Sequence, residues 1–206
     1  MKSFEAGFWR KRAVRAALKR GDDRRNTWAG HRIIKLPGDC FAMQMLLARC
    51  KPEVLVEIGT QYGGSALFFS TFVEQVVTLD IADLPGRPVS PRITYLTGDS
   101  VSREVFERVE ALVGTRRCSV VIDGDHRAAQ VGKELERYAP LVGPGQALIL
   151  EDTLVDVLDF RKFRAGGGPL RAMRNYLEKN PVFELALEVE PYITTNFFGY
   201  WVKKQP

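Results

Sequence analysis

Five short apolar runs, separated by longer segments of helical composition, constrain the fold more than any other feature of this 206-residue chain. The runs are VLVEI at 54–58, VVTLD at 76–80, ITYLT at 93–97, CSVVID at 118–123 and ALILED at 147–152. Mostly continuous apolar runs of this length are typical of strands that are buried on both faces of a parallel sheet. Helices between successive strands predict right-handed crossovers. The sequence therefore predicts an α/β fold with a doubly wound, Rossmann-like sheet.

Four segments between and after these runs are predicted to be helical. They lie at 65–75, 102–114, 127–143 and 170–180. The strand-like runs VFELALEVE and TNFFGYWVKK follow the last helix, and a turn at Pro191–Tyr192 is predicted to join them as a hairpin-like pair. Five parallel strands followed by such a pair predict a seven-stranded, mostly parallel sheet with an antiparallel C-terminal strand.

The formal net charge of +5 is concentrated at the N-terminus of the chain. Residues 1–25 hold nine Lys or Arg against three Asp or Glu, so the rest of the chain is close to neutral. We therefore predict a basic N-terminal helix or arm at 1–26 and a single domain at 27–206. The helix is expected at 4–20, packed on the domain or on a symmetric partner in a homo-oligomer, with attachment to an anionic surface as the alternative. Because the body lacks clustered Lys and Arg, no nucleic-acid partner is expected.

The cysteines and the apolar runs of the sequence indicate the cellular compartment. Three cysteines occur at scattered positions, without metal-finger spacing, which argues against a disulfide framework or a zinc ribbon. No signal-peptide pattern and no run of 18 apolar residues is found, so we expect a cytoplasmic protein without a transmembrane segment.

A glycine loop, defined as residues 57–65, lies where the first strand turns into a helix, the position at which doubly wound sheets bind ligands. Its candidate cofactor-binding residues are Glu57, Gly59, Tyr62, Gly63 and Ser65. The spacing differs from the G-x-G-x-x-G pattern of dinucleotide-binding proteins. An acidic residue before the first glycine instead suits a ligand with a cationic amino-acid end, such as S-adenosylmethionine.

Two further carboxylates follow the next strands. Asp80 ends the second strand, where it could accept two hydrogen bonds from a ribose diol. Asp99 and Ser100 follow the third strand, where a carboxylate could contact an adenine amino group. The alternative is that these residues only cap helices or turn the chain.

Four carboxylates and an imidazole follow the fourth and fifth strands. They belong to Asp123, Asp125, His126, Glu151 and Asp152. Carboxylates at one edge of a sheet would repel one another, so we predict a divalent cation among them, Mg²⁺ first, with Ca²⁺ or Mn²⁺ possible. His126 is the candidate general base for a substrate hydroxyl. Capping roles for the same residues are the alternative.

The motifs together resemble the cephalosporin hydroxylase and rhamnosyl O-methyltransferase family of class I methyltransferases. The resemblance covers about residues 27–204 and is carried by TWAGHRIIKLPGDCFAMQMLLARCKPEVLVEIGTQYGGSALFFS, by DGDH, by YAPLVGPGQALILEDT and by TNFFGYWVKK. It implies an S-adenosylmethionine- and Mg²⁺-dependent O-methyltransferase that acts on a small molecule, namely a sugar or an antibiotic-like secondary metabolite.

The resemblance also distributes roles over the candidate residues. It places Glu57, Gly59, Gly63, Ser65, Asp80 and Asp99 on cofactor positions, Asp123, Glu151 and Asp152 on metal positions, and His126 on the base. Asp123 is also a candidate cofactor contact, and spacing alone leaves the metal position open between Asp123 and Asp125.

Three other functions are weighed against methyl transfer to a small molecule. An oxidoreductase is disfavoured, because the dinucleotide fingerprint is missing and the two histidines, His31 and His126, do not form an iron-binding triad pattern. A non-catalytic cofactor-binding partner protein stays open. Nucleic-acid methylation is disfavoured, since DGDH stands where base methyltransferases carry an N/D-P-P-aromatic element.

Overall fold

The computed structural model describes residues 2–158, 160–163, 165–190 and 192–205, with side chains described from Trp9 onward. Its strands, numbered in chain order, are β1 (Thr27–Trp28), β2 (His31–Arg32), β3 (Val54–Ile58), β4 (Gln75–Asp80), β5 (Ile93–Thr97), β6 (Cys118–Ile122), β7 (Ala147–Leu150), β8 (Phe183–Leu185) and β9 (Tyr200–Lys203). Its α-helices are α1 (Lys2–Arg20), α2 (Pro37–Cys50), α3 (Gly64–Phe69), α4 (Arg103–Val113), α5 (Ala128–Tyr138), α6 (Leu154–Val157) and α7 (Pro169–Lys179).

Seven of the strands form one sheet in the order β5-β4-β3-β6-β7-β9-β8. Strand β9 runs antiparallel to both of its neighbours, whereas β3 to β7 pair in parallel. The predicted fold class, a doubly wound seven-stranded sheet with an antiparallel C-terminal strand, is thereby confirmed. In such a sheet the parallel strands end at one common edge, where ligands bind.

The sheet is covered on both faces, which explains why its central strands read as continuous apolar runs. All five residues of β3 are buried. Its Val54, Val56 and Ile58 pack with α4, α5 and α7 on one face, while Leu55 packs with α2 and α3 on the other. A third apolar cluster joins α1 to α6 through Val14, among others.

The helix predicted over 65–75 is shorter than expected, because α3 ends at Phe69. The Ser70 hydroxyl donates to the carbonyl of Leu67 at 2.8 Å, and the Thr71 hydroxyl donates to the carbonyl of Phe68 at 2.7 Å. Side-chain hydroxyls that bond back to the last turn compete with continuation of the helix.

The predicted C-terminal strand pair forms, but its strands are shorter and their connection is longer than predicted. Strand β8 ends at Leu185, a 3₁₀ turn covers Leu187–Val189, and β9 begins only at Tyr200. A two-residue turn at Pro191–Tyr192 therefore does not join them, and Pro191 itself lies outside the described residues. The intervening loop instead reaches the edge of the sheet where β7 ends, with the Leu154 N–H donating to the Thr195 carbonyl.

Strands β1 and β2 form a small antiparallel hairpin between α1 and α2. A Cβ on Gly64 would lie 2.0 Å from the Arg32 carbonyl oxygen, so the absence of a side chain there lets the hairpin rest on the start of α3. Among the described residues, no helix has the length and apolar character needed to cross a lipid bilayer.

Candidate active site

A cavity of about 900 Å³ opens where the parallel strands end. Its lining includes residues that follow β3, β4, β5 and β6, together with residues of the segment that leads from α1 to β2. The glycine loop and the acidic residues after β6 therefore face one space. Parallel topology explains this arrangement, because it brings residues distant in sequence to the same edge.

Glu57 is a fully buried carboxylate at the start of the glycine loop. The Thr78 hydroxyl donates to its Oε2 at 2.7 Å, but its Oε1 is buried and has no hydrogen-bond partner. Burial raises the pKa of Glu57 to about 7, although Lys35 and hydroxyl groups nearby act in the opposite direction. An ionised, incompletely paired carboxylate of this kind favours a cationic ligand group.

Two glycines of the loop are required by its geometry. Gly59 has φ +103°, and a Cβ there would lie 2.2 Å from the carbonyl oxygen of Asp123. Gly63 has φ +75°, and a Cβ there would lie 2.9 Å from a Pro88 side-chain carbon. A side chain at either position would separate the glycine loop from the segments packed on it.

The remaining candidate cofactor residues after β4 and β5 also line the cavity. The Asp80 carboxylate accepts the Gln61 N–H at 2.8 Å, which ties it to the glycine loop. Asp99 accepts the Val101 N–H at 3.0 Å. Ser100 differs, since its buried hydroxyl donates to Glu134 Oε1 at 2.7 Å. Ser100 thus bonds to helix α5 at the base of the cavity.

Tyr62 and Ser65 complete the glycine loop. The Tyr62 ring lies under the guanidinium of Arg32, 4.5 Å from its carbon to the ring centroid, so the hairpin contacts the loop at the mouth of the cavity. Ser65 is buried in the first turn of α3 and lines the same cavity.

Three of the acidic-site candidates converge closely. Asp123, His126 and Asp152 each offer one ligand atom within 4.8 Å of the other two. His126 Nε2 lies 3.2 Å from Asp152 Oδ2. Two carboxylates and an imidazole at this spacing match the ligand types that proteins use for divalent cations.

Glu151 lies deeper and is bound to a buried cation of the protein itself. Lys35 Nζ donates to Glu151 Oε1 at 2.5 Å and to Asp123 Oδ2 at 3.0 Å. Burial opposes the charged form of Lys35, but the carboxylates of Asp123, Glu151 and Glu57 outweigh that effect and hold the pKa of Lys35 well above its usual range. Lys35 is therefore an ammonium ion inside the carboxylate cluster.

Asp125 is not part of this convergence. Both of its carboxylate oxygens bond to the guanidinium of Arg127, at the start of α5. Those hydrogen bonds hold the pKa of Asp125 below its usual value. Asp125 nevertheless lines the cavity, whereas His31, on β2, is not among the lining residues.

Asp152 adopts a backbone conformation that is rare for a residue with a side chain, with φ +51°. Its N–H donates to the side-chain oxygen of Asn196 at 2.8 Å, and Asn196 is itself buried. Strain of this kind persists when surrounding contacts impose it, and it concentrates at functional sites. The loop before β9 therefore sets the orientation of Asp152.

Sequence reasoning missed Lys35, Glu134 and Asn196. Lys35 had a local signal, because it is a lone lysine between apolar residues in the stretch IIKLP. Glu134 and Asn196 have no such signal, since each acquires its role only through contacts between distant segments.

Comparison with known proteins shows the family of this chain. The profile of the family Rhamnosyl O-methyltransferase/CmcI matches residues 23–204. A rhamnosyl O-methyltransferase of Mycobacterium leprae (strain TN) is 29% identical over 168 residues, covering 75% of this chain and 72% of the relative. One of Mycobacterium tuberculosis (strain CDC 1551 / Oshkosh) is 26% identical over 171 residues, covering 76% and 68%.

Two solved structures share the fold. A CmcI structure with Mg and SAM has a TM-score of 0.68 at 18% identity, covering 88% of this chain and 78% of CmcI. MycE methyltransferase from the mycinamycin biosynthetic pathway, in complex with Mg, SAH and mycinamycin VI, has a TM-score of 0.54 at 23% identity, covering 67% and 41%. The resemblance found in the motifs is thus confirmed. Because the family profile spans nearly the whole chain, the protein belongs to the rhamnosyl O-methyltransferase/CmcI family, and its fold is that of class I S-adenosylmethionine-dependent methyltransferases.

Proposed function

We propose that this chain methylates a hydroxyl group of a sugar or of a sugar-bearing secondary metabolite, using S-adenosylmethionine and a divalent cation, Mg²⁺ first. The observation that carries the proposal is the convergence of Asp123, His126 and Asp152 at the cavity that also contains the glycine loop. The names of the relatives support the same chemistry, since two are rhamnosyl O-methyltransferases and the MycE structure contains Mg, SAH and a macrolide.

The cofactor half of the cavity is assigned to the glycine loop and the residues after β4 and β5. S-adenosylmethionine supplies an electrophilic methyl group on a sulfonium. The buried, unpaired Oε1 of Glu57 fits the cationic amino group of its amino-acid end. Asp80 and Asp99, both on the cavity lining, are assigned to the ribose hydroxyls and the adenine amino group.

The metal half is assigned to Asp123 and Asp152, with Glu151 as the third carboxylate. Carboxylate oxygens are the ligands that a hard divalent cation prefers, so the donor set fits Mg²⁺. The cation would supply Lewis-acid polarisation of substrate oxygens. Asp123 is preferred over Asp125, because Asp123 converges with His126 and Asp152, whereas both oxygens of Asp125 bond to Arg127.

His126 is assigned the role of general base. Its Nε2 contacts Asp152 Oδ2, which orients the imidazole ring and leaves Nδ1 to accept the proton of the substrate hydroxyl. Its side chain is partly exposed to the cavity. Holding nucleophile and methyl group in line removes an entropic barrier of up to roughly 7–11 kcal/mol.

The test compares the two histidines of the chain. Calorimetry with S-adenosylhomocysteine measures cofactor binding, and transfer of labelled methyl groups to a panel of rhamnosides and macrolide glycosides measures turnover. We expect His126→Ala to lower kcat by about 100-fold or more, the scale of general-base catalysis, with little change in cofactor affinity. His31→Ala is the matched control and should leave both quantities near the wild-type values.

Three negative results would each contradict a different part of the proposal. No binding of S-adenosylhomocysteine by the pure protein would contradict the whole proposal. Undiminished turnover in EDTA would contradict the metal step alone. Equal kcat values for the wild type and His126→Ala would contradict the assignment of the base.

A further inference from the structure

The mechanism just proposed gives no role to the buried ammonium of Lys35. Its side chain is 2% exposed, and its Nζ bridges the carboxylates of Asp123 and Glu151 at 3.0 and 2.5 Å. A buried ammonium is costly unless it is paired, and this one is paired with two residues of the acidic cluster, defined here as Asp123, Glu151 and Asp152.

The backbone on both sides of Lys35 is held in place. The Asn26 side-chain amide donates to the Lys35 carbonyl at 2.7 Å. The next N–H, that of Leu36, donates to the buried carboxylate of Asp39 at 2.8 Å at the start of α2. Asp39 also accepts the Thr195 N–H at 2.7 Å. The backbone at Lys35 is therefore held in place, and the buried side chain extends from it into the cluster.

The charges of the site balance when Lys35 is counted. With every group in its charged form, the three carboxylates of the acidic cluster have a formal charge of −3, and the bridging Lys35 ammonium brings the sum to −2. One divalent cation then makes the cluster neutral. Without Lys35 the same carboxylates would keep one uncompensated charge in a largely buried place, which would strengthen the binding of any cation.

We infer that Lys35 is a positioning residue that acts as the internal counter-cation of the acidic cluster. It holds Asp123 and Glu151 together and limits the charge that the cluster offers to one divalent ion. This inference rests on the proposed function, because it assigns a role toward the proposed metal site. A purely structural role is the competing interpretation, in which the aliphatic stem of Lys35 fills space and its charge does not matter.

The experiment uses Mn²⁺ as the probe, with affinity measured by electron paramagnetic resonance on the full chain at pH 8. Lys35→Met keeps a buried aliphatic stem and removes the charge, and we expect Mn²⁺ to bind about tenfold tighter or more. Lys35→Arg keeps the charge and should bind Mn²⁺ about as the wild type does. Lys179→Met removes one charge from an exposed lysine at the end of α7 and is the control for net charge.

A trivalent ion gives a second readout that depends on charge. Removing a fixed positive charge strengthens binding in proportion to the charge of the ion, so the logarithm of the gain should be about 1.5 times larger for Tb³⁺ than for Mn²⁺. Terbium luminescence measures that affinity. Saturating Mg²⁺ should also raise the melting temperature of Lys35→Met more than that of the wild type, because tighter binding to the folded state stabilises it more.

The possible results distinguish a failure of this inference from a failure of the proposed function. Absence of Mn²⁺ binding in every variant, the wild type included, would overturn the proposed metal site together with this inference. Binding to the wild type with unchanged or weaker binding to Lys35→Met would overturn the inference alone, as would a Lys35→Arg variant that behaves like Lys35→Met. If Lys35→Met does not fold, Lys35→Gln, which retains a hydrogen-bonding side chain without charge, is subject to the same comparison.

Discussion

At the scale of single residues, the site is built from charged groups in places that disfavour charge. Glu57 is buried with one unpaired oxygen, and Lys35 is buried between two carboxylates. Burying such groups destabilises the folded protein, because pairing compensates only part of the free energy of desolvation. The proposed function gives Glu57 a cationic ligand group, and the structure pairs Lys35 with Asp123 and Glu151.

The raised pKa of Glu57 predicts how its removal changes stability with pH. An acid whose pKa moves from 4.5 in the unfolded chain to about 7 in the folded protein binds more protons when folded. Its ionisation therefore lowers the free energy of unfolding as the pH rises from about 4.5 to about 7, and the full loss, roughly 3 kcal/mol at most, is present above that range. Glu57→Gln should stabilise the cofactor-free protein at pH 8 and much less at pH 5.

Thermal melts at the two pH values check this prediction, with Glu184→Gln, at an exposed residue of β8, as the control. The same variant should bind S-adenosylhomocysteine about tenfold more weakly or worse, since a carboxylate partner of its amino group is lost. An equal stability difference at pH 5 and pH 8 would contradict the role of burial.

Asp125 and Asp152 offer a second contrast between single residues. Asp152→Asn removes a carboxylate that lies among the proposed metal ligands and should weaken Mn²⁺ binding by about tenfold or more. Asp125→Asn alters a carboxylate that is bound to Arg127, so its effect should stay below about twofold. Titration of both variants with Mn²⁺ measures these affinities. A larger loss of affinity in Asp125→Asn would assign the metal site to Asp125 instead.

At the scale of elements, the site depends on how closely the segments after the strands approach one another. The glycine loop after β3 contacts the segment after β6 at Gly59, where there is no space for a side chain. The loop before β9 holds Asp152 through Asn196. The segments after β3 and β7 are thus each positioned by a neighbouring segment.

Gly59→Ala tests the contact between the glycine loop and the segment after β6. Its Cβ would lie 2.2 Å from the Asp123 carbonyl oxygen at a φ of +103°, so we expect a loss of stability of about 1–3 kcal/mol or more, and weaker binding of Mn²⁺. Gly132→Ala, in helix α5 with open space around it, is the matched control and should stabilise the protein by up to about 1 kcal/mol. Chemical denaturation measures both, and equal effects would contradict the close approach.

At the scale of the whole molecule, the basic N-terminal helix is joined to the domain by an apolar contact. Val14 of α1 is fully buried in a cluster that includes Leu154 and Leu158, shortly after Asp152. Arg15 donates to the Leu158 carbonyl at 3.2 Å. Where the arm ends and the domain begins, near residue 26, stays a prediction, as does assembly into a homo-oligomer.

Two substitutions on the same helix test that contact. Val14→Asp places a carboxylate in an apolar cluster and should lower the free energy of unfolding by several kcal/mol, on the order of 3. Ala16→Asp makes the same charge change on the exposed side of α1 and should alter stability by less than about 0.5 kcal/mol. Denaturant titration measures the difference. Similar stability of the two variants would show that α1 does not need this contact.

Most of the sheet could be predicted from the sequence, because the burial of β3, β6 and β7 on both faces is encoded locally in continuous apolar runs. The short extent of α3 could not, since it depends on hydroxyl groups of Ser70 and Thr71 turning back on the helix. The long connection between β8 and β9 was also missed, because the polar loop before β9 is buried by contacts with the segment after β7.

The sequence by itself determined the fold class and the residues that follow each strand, since periodicity and parallel topology place them at one edge of the sheet. Only the tertiary structure decided how those residues are divided. It brings Asp123, His126 and Asp152 together. It pairs Asp125 with Arg127 and places the amine of Lys35 between Asp123 and Glu151. The physical reason is that the positions of the strands along the chain are encoded in local apolar patterns, whereas the pairing of buried charges depends on distances between segments far apart in the chain.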